Sequence, residues 1–208
     1  MGAATNSGRA RAVLVAGGRP SLCLDYANTQ CWRGLESPTE TLRRPADLID
    51  WCRRASLLTA PLRSMTPGAS ATLFAEAIAL RELIYRAFST LAAGGSLSAS
   101  DLSALNAAVA RAPPRARIAQ LGAQYAWQVG APAGSAPLSA PQLLAAVVWS
   151  AADLIVAARE NRVRQCANDA CRWLFLDASR NASRRWCDMS ACGNRAKARR
   201  HYLKQRAG

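Results

Sequence analysis

Apolar residues recur at helical spacing over much of the first 160 positions. Leu73, Ala77, Leu80, Ile84 and Phe88 mark one face of a helix predicted from about Ser70 to Ala92, ended by Gly94-Gly95. Pro45 opens a second helix to Leu58, with Leu48, Ile49, Cys52 and Leu57 facing inward. A third begins after Ser100 as its cap, carries Leu102, Leu105, Ala108 and Val109 along one side, and stops at Pro113-Pro114. Gln142 to Asn161 is apolar nearly all round, as a buried helix is. Its apolar run, Leu143 to Ala158, contains Asp153 and is short for a membrane span.

Period-two alternation is confined to short stretches. Ala12 to Ala16, Arg117 to Leu121 and Tyr125 to Val129 read as strands. Residues 33–44 are polar and contain Pro38, which predicts a loop. Pro20 to Thr29 fits a helix better than a strand, since Leu22, Tyr26 and Thr29 share a face. The fold class expected is mainly α (α+β with a few short strands). The expected organisation is a basic tail over residues 1–11, a helical domain over 12–161 and a small C-terminal module over 162–208.

Charge sharpens that division. The chain carries 27 Arg and Lys against 13 Asp and Glu, a net charge of +14. Thirteen of those cations lie from Arg159 onward, with only four acids among them. Such a concentrated positive field implies a polyanionic partner. Arg outnumbers Lys 25 to 2, so clustering carries more meaning here than Arg content. The N-terminus has no apolar signal core, and Asn6 stands where a myristoylation signal would carry Ser or Thr. A cytoplasmic, nucleoid-associated protein with no membrane association is therefore expected.

Seven cysteines are present. Cys23, Cys31 and Cys52 show no paired spacing and read as core or half-buried thiols. The other four form two pairs of equal spacing, Cys166-x4-Cys171 and Cys187-x4-Cys192, fifteen residues apart. Two such pairs can close a tetrahedral thiolate site on one Zn2+, and a site of four thiolates is structural because it has no open coordination position. Between the pairs, Trp173 to Asp177 alternates as a strand and Asp177 to Asn181 reads as a turn. After Cys192 a basic helix follows, with its cap expected near Asn194, so the module reads as a treble-clef-like four-cysteine zinc finger.

The basic residues predicted to contact nucleic acid are Arg180, Arg184, Arg185, Arg195, Lys197, Arg199, Arg200, Lys204 and Arg206, with phosphate neutralisation first and base edges second. Arg195 is also a candidate brace for the finger. Asp25, Asn28 and Thr29 form a candidate ligand pocket, with Asp25 free to pair with an arginine such as Arg33. No Ser-His-Asp set, phosphate loop or carboxylate metal cluster occurs, which predicts a protein that is not an enzyme.

The run Cys192-Gly193-Asn194-Arg195, with Cys166-x4-Cys171-x-Trp173-x-Phe175-x-Asp177 and Arg185-Trp186-Cys187, resembles the CGNR zinc-finger family. Leu24-Asp25-Tyr26-Ala27-Asn28-Thr29 resembles the start of the ABATE domain that precedes that finger. Two positions depart from the usual pattern, Tyr26 for Phe and Asp188 for Ser, and neither is a ligand. The resemblance implies a bacterial transcription regulator, some relatives being linked to stress. Its implied cofactor is one structural zinc ion and its implied partner is DNA. RNA or ribosome binding is the first alternative, and a small-molecule-binding protein or enzyme with a purely structural finger is the second. A homodimer and a small-molecule effector are compatible with either binding role.

Overall fold

The computed structural model describes residues 13–16, 19–57, 67–121, 123–129, 139–157 and 162–206. The predicted tail, residues 1–11, lies outside the described residues, as do residues 158–161 at the end of the predicted fourth long helix.

The elements follow the apolar pattern closely. Helix α1 spans Leu22–Ala27, α2 Pro45–Arg54, α3 Pro67–Ala92 and α4 Ala99–Arg111. Four predicted inward residues of α3, namely Leu73, Ala77, Ile84 and Phe88, are almost wholly buried. The cap of α4 is Ser98, two residues before the expected Ser100; its hydroxyl accepts from the Asp101 N–H at 3.0 Å. Only part of the predicted α4 face is inward. Leu105 and Ala108 are buried, but Leu102 and Val109 are exposed on the rim of an apolar cavity of about 130 Å3 between α3, α4 and the last helix of this domain.

That last helix is divided. A short turn, α5 (Ala140–Leu143), meets α6 (Ala145–Val156) at Leu144, whose backbone leaves helical geometry at φ −98° and ψ 28°. Every residue of α6 from Ala145 to Ala151 is buried. Helix α1 is wedged between α3 and α6, which explains why a six-residue helix can carry five buried residues. The Tyr26 hydroxyl donates to Ala77 O at 2.8 Å, and Ser150 Oγ joins the Cys23 N–H to Pro20 O. Burial pushes the thiols of Cys23 and Cys52 up to about 12, so both stay protonated as core residues.

Strands β1 (Val13–Ala16), β4 (Arg117–Leu121) and β5 (Gln124–Val129) form an antiparallel sheet in the order β1-β5-β4. The predicted 33–44 loop contains an element that the polar composition hid. Strand β3 (Thr39–Glu40) pairs with β2 (Gln30–Cys31), placing Glu40 opposite Gln30. In the C-terminal module, β6 (Val163–Gln165) pairs with β7 (Leu174–Leu176), and helix α7 (Asn194–Arg206) follows a π-helical turn over Met189–Gly193. The predicted strand at Trp173–Asp177 therefore pairs backward with β6, and the 183–186 return stays irregular. The architecture is mainly α with short strands, plus a treble-clef-like finger. No helix among the described residues is long and apolar enough to cross a membrane.

Strand β7 divides its residues between two cores. Leu174 and Leu176 join the main hydrophobic core with Val163, whereas Trp173 and Phe175 face the cysteines. The alternation of a strand thus fastens the finger to the helical domain along one side and builds the metal site on the other.

Candidate metal centre and nucleic-acid interface

The β6–β7 hairpin carries the first cysteine pair in its connection. The Cys166 N–H donates to Trp173 O at 2.8 Å, the Cys171 N–H donates to Asn168 O at 2.8 Å, and Arg172 takes a left-handed φ of 53° to complete the knuckle. Cys187 and Cys192 arrive from the 183–188 return and the π-helical turn. All four Sγ atoms lie within 4.8 Å of one another. Cys171 to Cys187 is 3.7 Å and Cys187 to Cys192 is 3.8 Å. A disulfide needs ~2.05 Å, whereas a tetrahedron of thiolates at ~2.3 Å from zinc has an edge of ~3.8 Å. The donor set therefore fits a closed structural zinc site.

The electrostatics of the sulfurs point the same way. Burial raises Cys166, but N–H groups and neighbouring thiols that bond to its sulfur outweigh burial and bring it below the usual thiol range. Burial and the charge of Cys166 push Cys171 up to about 12. Burial and the charges of Cys171 and Cys166 push Cys187 up further still. Four thiolates crowded so closely need a cation among them, and a divalent metal supplies it.

Groups around the ligands complete the site. The Asn168 amide donates to Cys192 Sγ at 3.6 Å while its Oδ1 accepts from the Ala170 N–H. Trp173, Phe175 and Trp186 cover the sulfurs, joined by Trp32 from the helical domain. The helix cap is Asp188, not Asn194: its Oδ1 accepts from the Ala191 N–H at 2.9 Å and from Ser190 Oγ. Cys192 therefore lies in the first turns of the capped helical segment. There, amide dipoles favour a thiolate. The Ser190 hydroxyl and the Ala191 N–H hold the Asp188 carboxyl below its usual range. A Cβ on Gly193 would come within 2.8 Å of Met189 and 3.4 Å of the Trp186 ring, so glycine keeps this lid close.

The predicted basic residues divide into two sets. Arg180, Arg185, Arg195, Lys197 and Arg206 are exposed. Arg184 is committed to the fold, although exposed. Its Nε donates to Trp186 O at 2.9 Å, its Nη2 donates to Cys187 O, and its guanidinium lies 4.7 Å over the Phe175 ring. The brace is therefore Arg184, and Arg195 instead lies 4.7 Å over Trp32. Arg199, Arg200 and Lys204 lie on α7, with their side chains outside the described set. Among the described residues, no Arg or Lys from Arg162 onward forms an ion pair with a carboxylate, whereas Arg19, Arg33, Arg81, Arg86 and Arg115 of the helical domain all do.

Asp25, Asn28 and Thr29 are not brought together around either described cavity. Asn28 is 3% exposed, and its amide is fully engaged: Nδ2 donates to Leu174 O at 2.8 Å and Oδ1 accepts from the Leu174 N–H at 3.0 Å. Thr29 Oγ1 donates to Tyr26 O. Asp25 pairs with Arg19 at 2.7 Å and not with Arg33. Arg33 instead makes two bonds to Glu82, at 2.7 and 2.9 Å. Arg81, which falls on the same face of α3 as Ala77, Ile84 and Phe88, is not among the predicted site residues, yet its side chain is 2% exposed. It meets Glu40 through two bonds of 2.6 Å and Glu82 through one of 2.8 Å.

Two family models match the chain. Residues 20–158 match ABATE, described as "Putative stress-induced transcription regulator", and residues 162–205 match the CGNR zinc finger. A search of the curated proteins finds no match. The finger match and the sulfur geometry together identify the four cysteines as holding one structural zinc ion.

Proposed function

The chain belongs to the ABATE family and ends in a CGNR zinc finger, and on that premise we propose that it regulates transcription by binding duplex DNA through α7 and the 178–186 turn. The observation that carries this reading is the contrast in charge pairing. Eight arginines of the helical domain pair with carboxylates, Arg43, Arg54 and Arg117 being the described ones that do not, while Arg180, Arg185, Arg195, Lys197 and Arg206 are exposed and, among the described residues, make no ion pair. An unneutralised cationic helix beside a rigid metal knuckle suits phosphate contacts, with one or two side chains reaching base edges. The zinc is scaffolding: four thiolates leave no open coordination position, so the metal itself offers no catalytic site.

With ~4 to 6 phosphates contacted, log Kobs should fall with log salt at a slope of about −4 to −5. Fluorescence anisotropy with random duplex DNA and with a structured RNA of equal length, at several salt concentrations, tests it. The absence of binding at low salt overturns the reading, and tighter binding to the RNA replaces it with an RNA-binding one. One small finger offers limited sequence discrimination, so specific recognition calls for a second copy on a two-fold related half-site.

For an effector, the better candidate is a different cavity from the one expected at Asp25. It measures about 300 Å3 and lies between α6 and β5, with Arg19, Arg115, Trp127, Trp149, Ser150 and Asp153 in its wall. Two indoles suit a small aromatic ring, and because Arg19 is paired with Asp25 and Arg115 with Asp153 the cavity favours a neutral ring over an anion unless the ligand displaces a carboxylate. Thermal shifts with monocyclic aromatic carboxylates and their neutral amides test it, and no shift with either series removes the sensing role from this cavity.

A further inference from the structure

Of three consecutive residues of the ABATE part, Trp32-Arg33-Gly34, the outer two meet the finger and the middle one faces the core. Trp32 packs among the zinc-site residues and lies under the Arg195 guanidinium. It does so with φ at 56°, a left-handed conformation that a bulky residue rarely adopts. Gly34 donates its N–H to Ala170 O inside the knuckle at 3.1 Å. A Cβ on Gly34 would lie 1.6 Å from Asp169 O, so the two backbones touch and no side chain fits between them.

Arg33 points the other way, into the core. Its guanidinium is bonded twice to Glu82, donates to Ala27 O at 3.1 Å and lies 3.8 Å over the Tyr85 ring. Its side chain is only 9% exposed. Glu82 also accepts from Arg81, whose other nitrogens hold Glu40. The Tyr85 hydroxyl in turn donates to Arg172 O, next to the ligand Cys171, and accepts from Gln165 Nε2, next to the ligand Cys166. A continuous line of contacts therefore runs Glu40–Arg81–Glu82–Arg33–Tyr85–Arg172, from a charge network between β3 and α3, centred on the buried Arg81, to the zinc knuckle.

We propose that Trp32, Arg33 and Gly34 are positioning residues of the zinc site, and that they couple metal retention by the finger to the Glu40–Arg81–Glu82 network of the ABATE core. The physical reason is that Arg33 lies between the two residues that touch the finger. Whatever moves its guanidinium moves Trp32 off the sulfurs and Gly34 off the knuckle. Because such a device sets how firmly the finger holds its ion, a change in the ABATE part is transmitted to α7 without a ligand at the finger. The coupling concerns the metal alone and stands independently of what α7 binds.

The test is the rate of zinc transfer from the full chain to a chromogenic chelator in excess, followed by stopped-flow absorbance without nucleic acid. Trp32→Ala and Gly34→Ala should release zinc at least tenfold faster than the unmodified chain. Glu82→Gln, which touches no finger residue, should release it several-fold faster. Arg86→Ala, also on α3, removes an exposed ion pair to Asp101 of α4 and should leave the rate unchanged. Far-UV circular dichroism before mixing identifies any variant that has not folded. If Glu82→Gln fails to fold, Arg33→Lys takes its place, keeping the charge while losing the two-pronged bond and the ring contact. Wild-type release from Glu82→Gln, or from Arg33→Lys in its stead, overturns the coupling. Wild-type release from Trp32→Ala and Gly34→Ala overturns their role at the site.

Discussion

The side-chain amide of Asn28 is bonded to both backbone groups of Leu174, 146 residues further along the chain. It mimics a strand partner for β7 and closes the joint between α1 and the finger. Asn28→Ala would leave a buried N–H and a buried C=O without partners, a loss of about 2 to 4 kcal/mol. Asn28→Asp should be nearly as damaging, because a carboxylate accepts from the Leu174 N–H but repels Leu174 O. In urea, fluorescence of the finger tryptophans and the helical circular dichroism should shift to lower midpoints together, since the joint serves both parts. A shift confined to one signal would show that the two unfold independently.

Much of this arrangement could be read in advance, and the exceptions share a cause. The α3 face is a local apolar repeat, and the two cysteine pairs are a local spacing, so both are visible from neighbouring residues alone. Asn28 reads as a pocket residue from sequence because its partner is far away along the chain. Arg81 falls on the apolar face of α3, but nothing local names its partner; only the β2–β3 pairing, hidden in a polar stretch, brings Glu40 to it. The cap at Asp188 rather than Asn194 was equally local but ambiguous, as both are good cap residues and only the position of the Ala191 N–H decides between them.

Arg81 is the most deeply buried charge among the described residues. Removing it alone by Arg81→Met leaves Glu40 and part of Glu82 uncompensated and should cost about 3 kcal/mol, toward the lower end for buried pairs because Glu40 keeps some solvent contact. The double variant Arg81→Met with Glu40→Gln should recover a large part of that loss. Equal stability of the single and double variants would show that the pair is not coupled. Chemical denaturation of all four proteins of the cycle measures it.

The same network gives a pH dependence. Burial raises the Glu82 carboxyl, but the Arg33 and Arg81 guanidiniums more than offset this and hold it below its usual 4.5. A depressed carboxylate contributes stability that is complete above the unfolded value near 4.5 and is lost as pH falls through the lower folded value. Between pH 5 and 3 the wild type should therefore lose more stability than Glu82→Gln, whose amide does not titrate. Because Glu82→Gln is also expected to hold zinc less firmly, each protein is compared with its own urea midpoint at pH 5, and the difference between the two falls is the quantity to follow.

Asn168 is the ligand-shell residue that the cysteine spacing did not reveal. Its amide N–H is directed at Cys192 Sγ, and donors of this kind stabilise a thiolate and orient it. Asn168→Ala should weaken zinc affinity about tenfold, the low end for loss of such a group. Asn168→Asp should be worse than Ala, since it replaces the donor with a negative charge beside four thiolates. Competition with a chelator of known affinity measures both, and an unchanged affinity in Asn168→Ala would reduce the contact to a packing one.

The two sets of finger arginines separate stability from binding. Arg184 holds Trp186 O and Cys187 O and covers Phe175, so Arg184→Ala should lower the melting temperature and speed zinc loss. Arg185→Ala and Lys197→Ala remove exposed cations that close no hydrogen bond at the metal site. They should leave the melting temperature unchanged, weaken DNA binding at every sequence tested, and each reduce the magnitude of the salt slope by about 0.9. Anisotropy titrations at three or more salt concentrations, beside thermal melts of the same samples, distinguish the classes. If Arg185→Ala and Lys197→Ala both kept the wild-type slope, the DNA-contacting surface would have to lie elsewhere on α7. If Arg184→Ala changed only the slope, its bonds to the knuckle would be incidental to the fold.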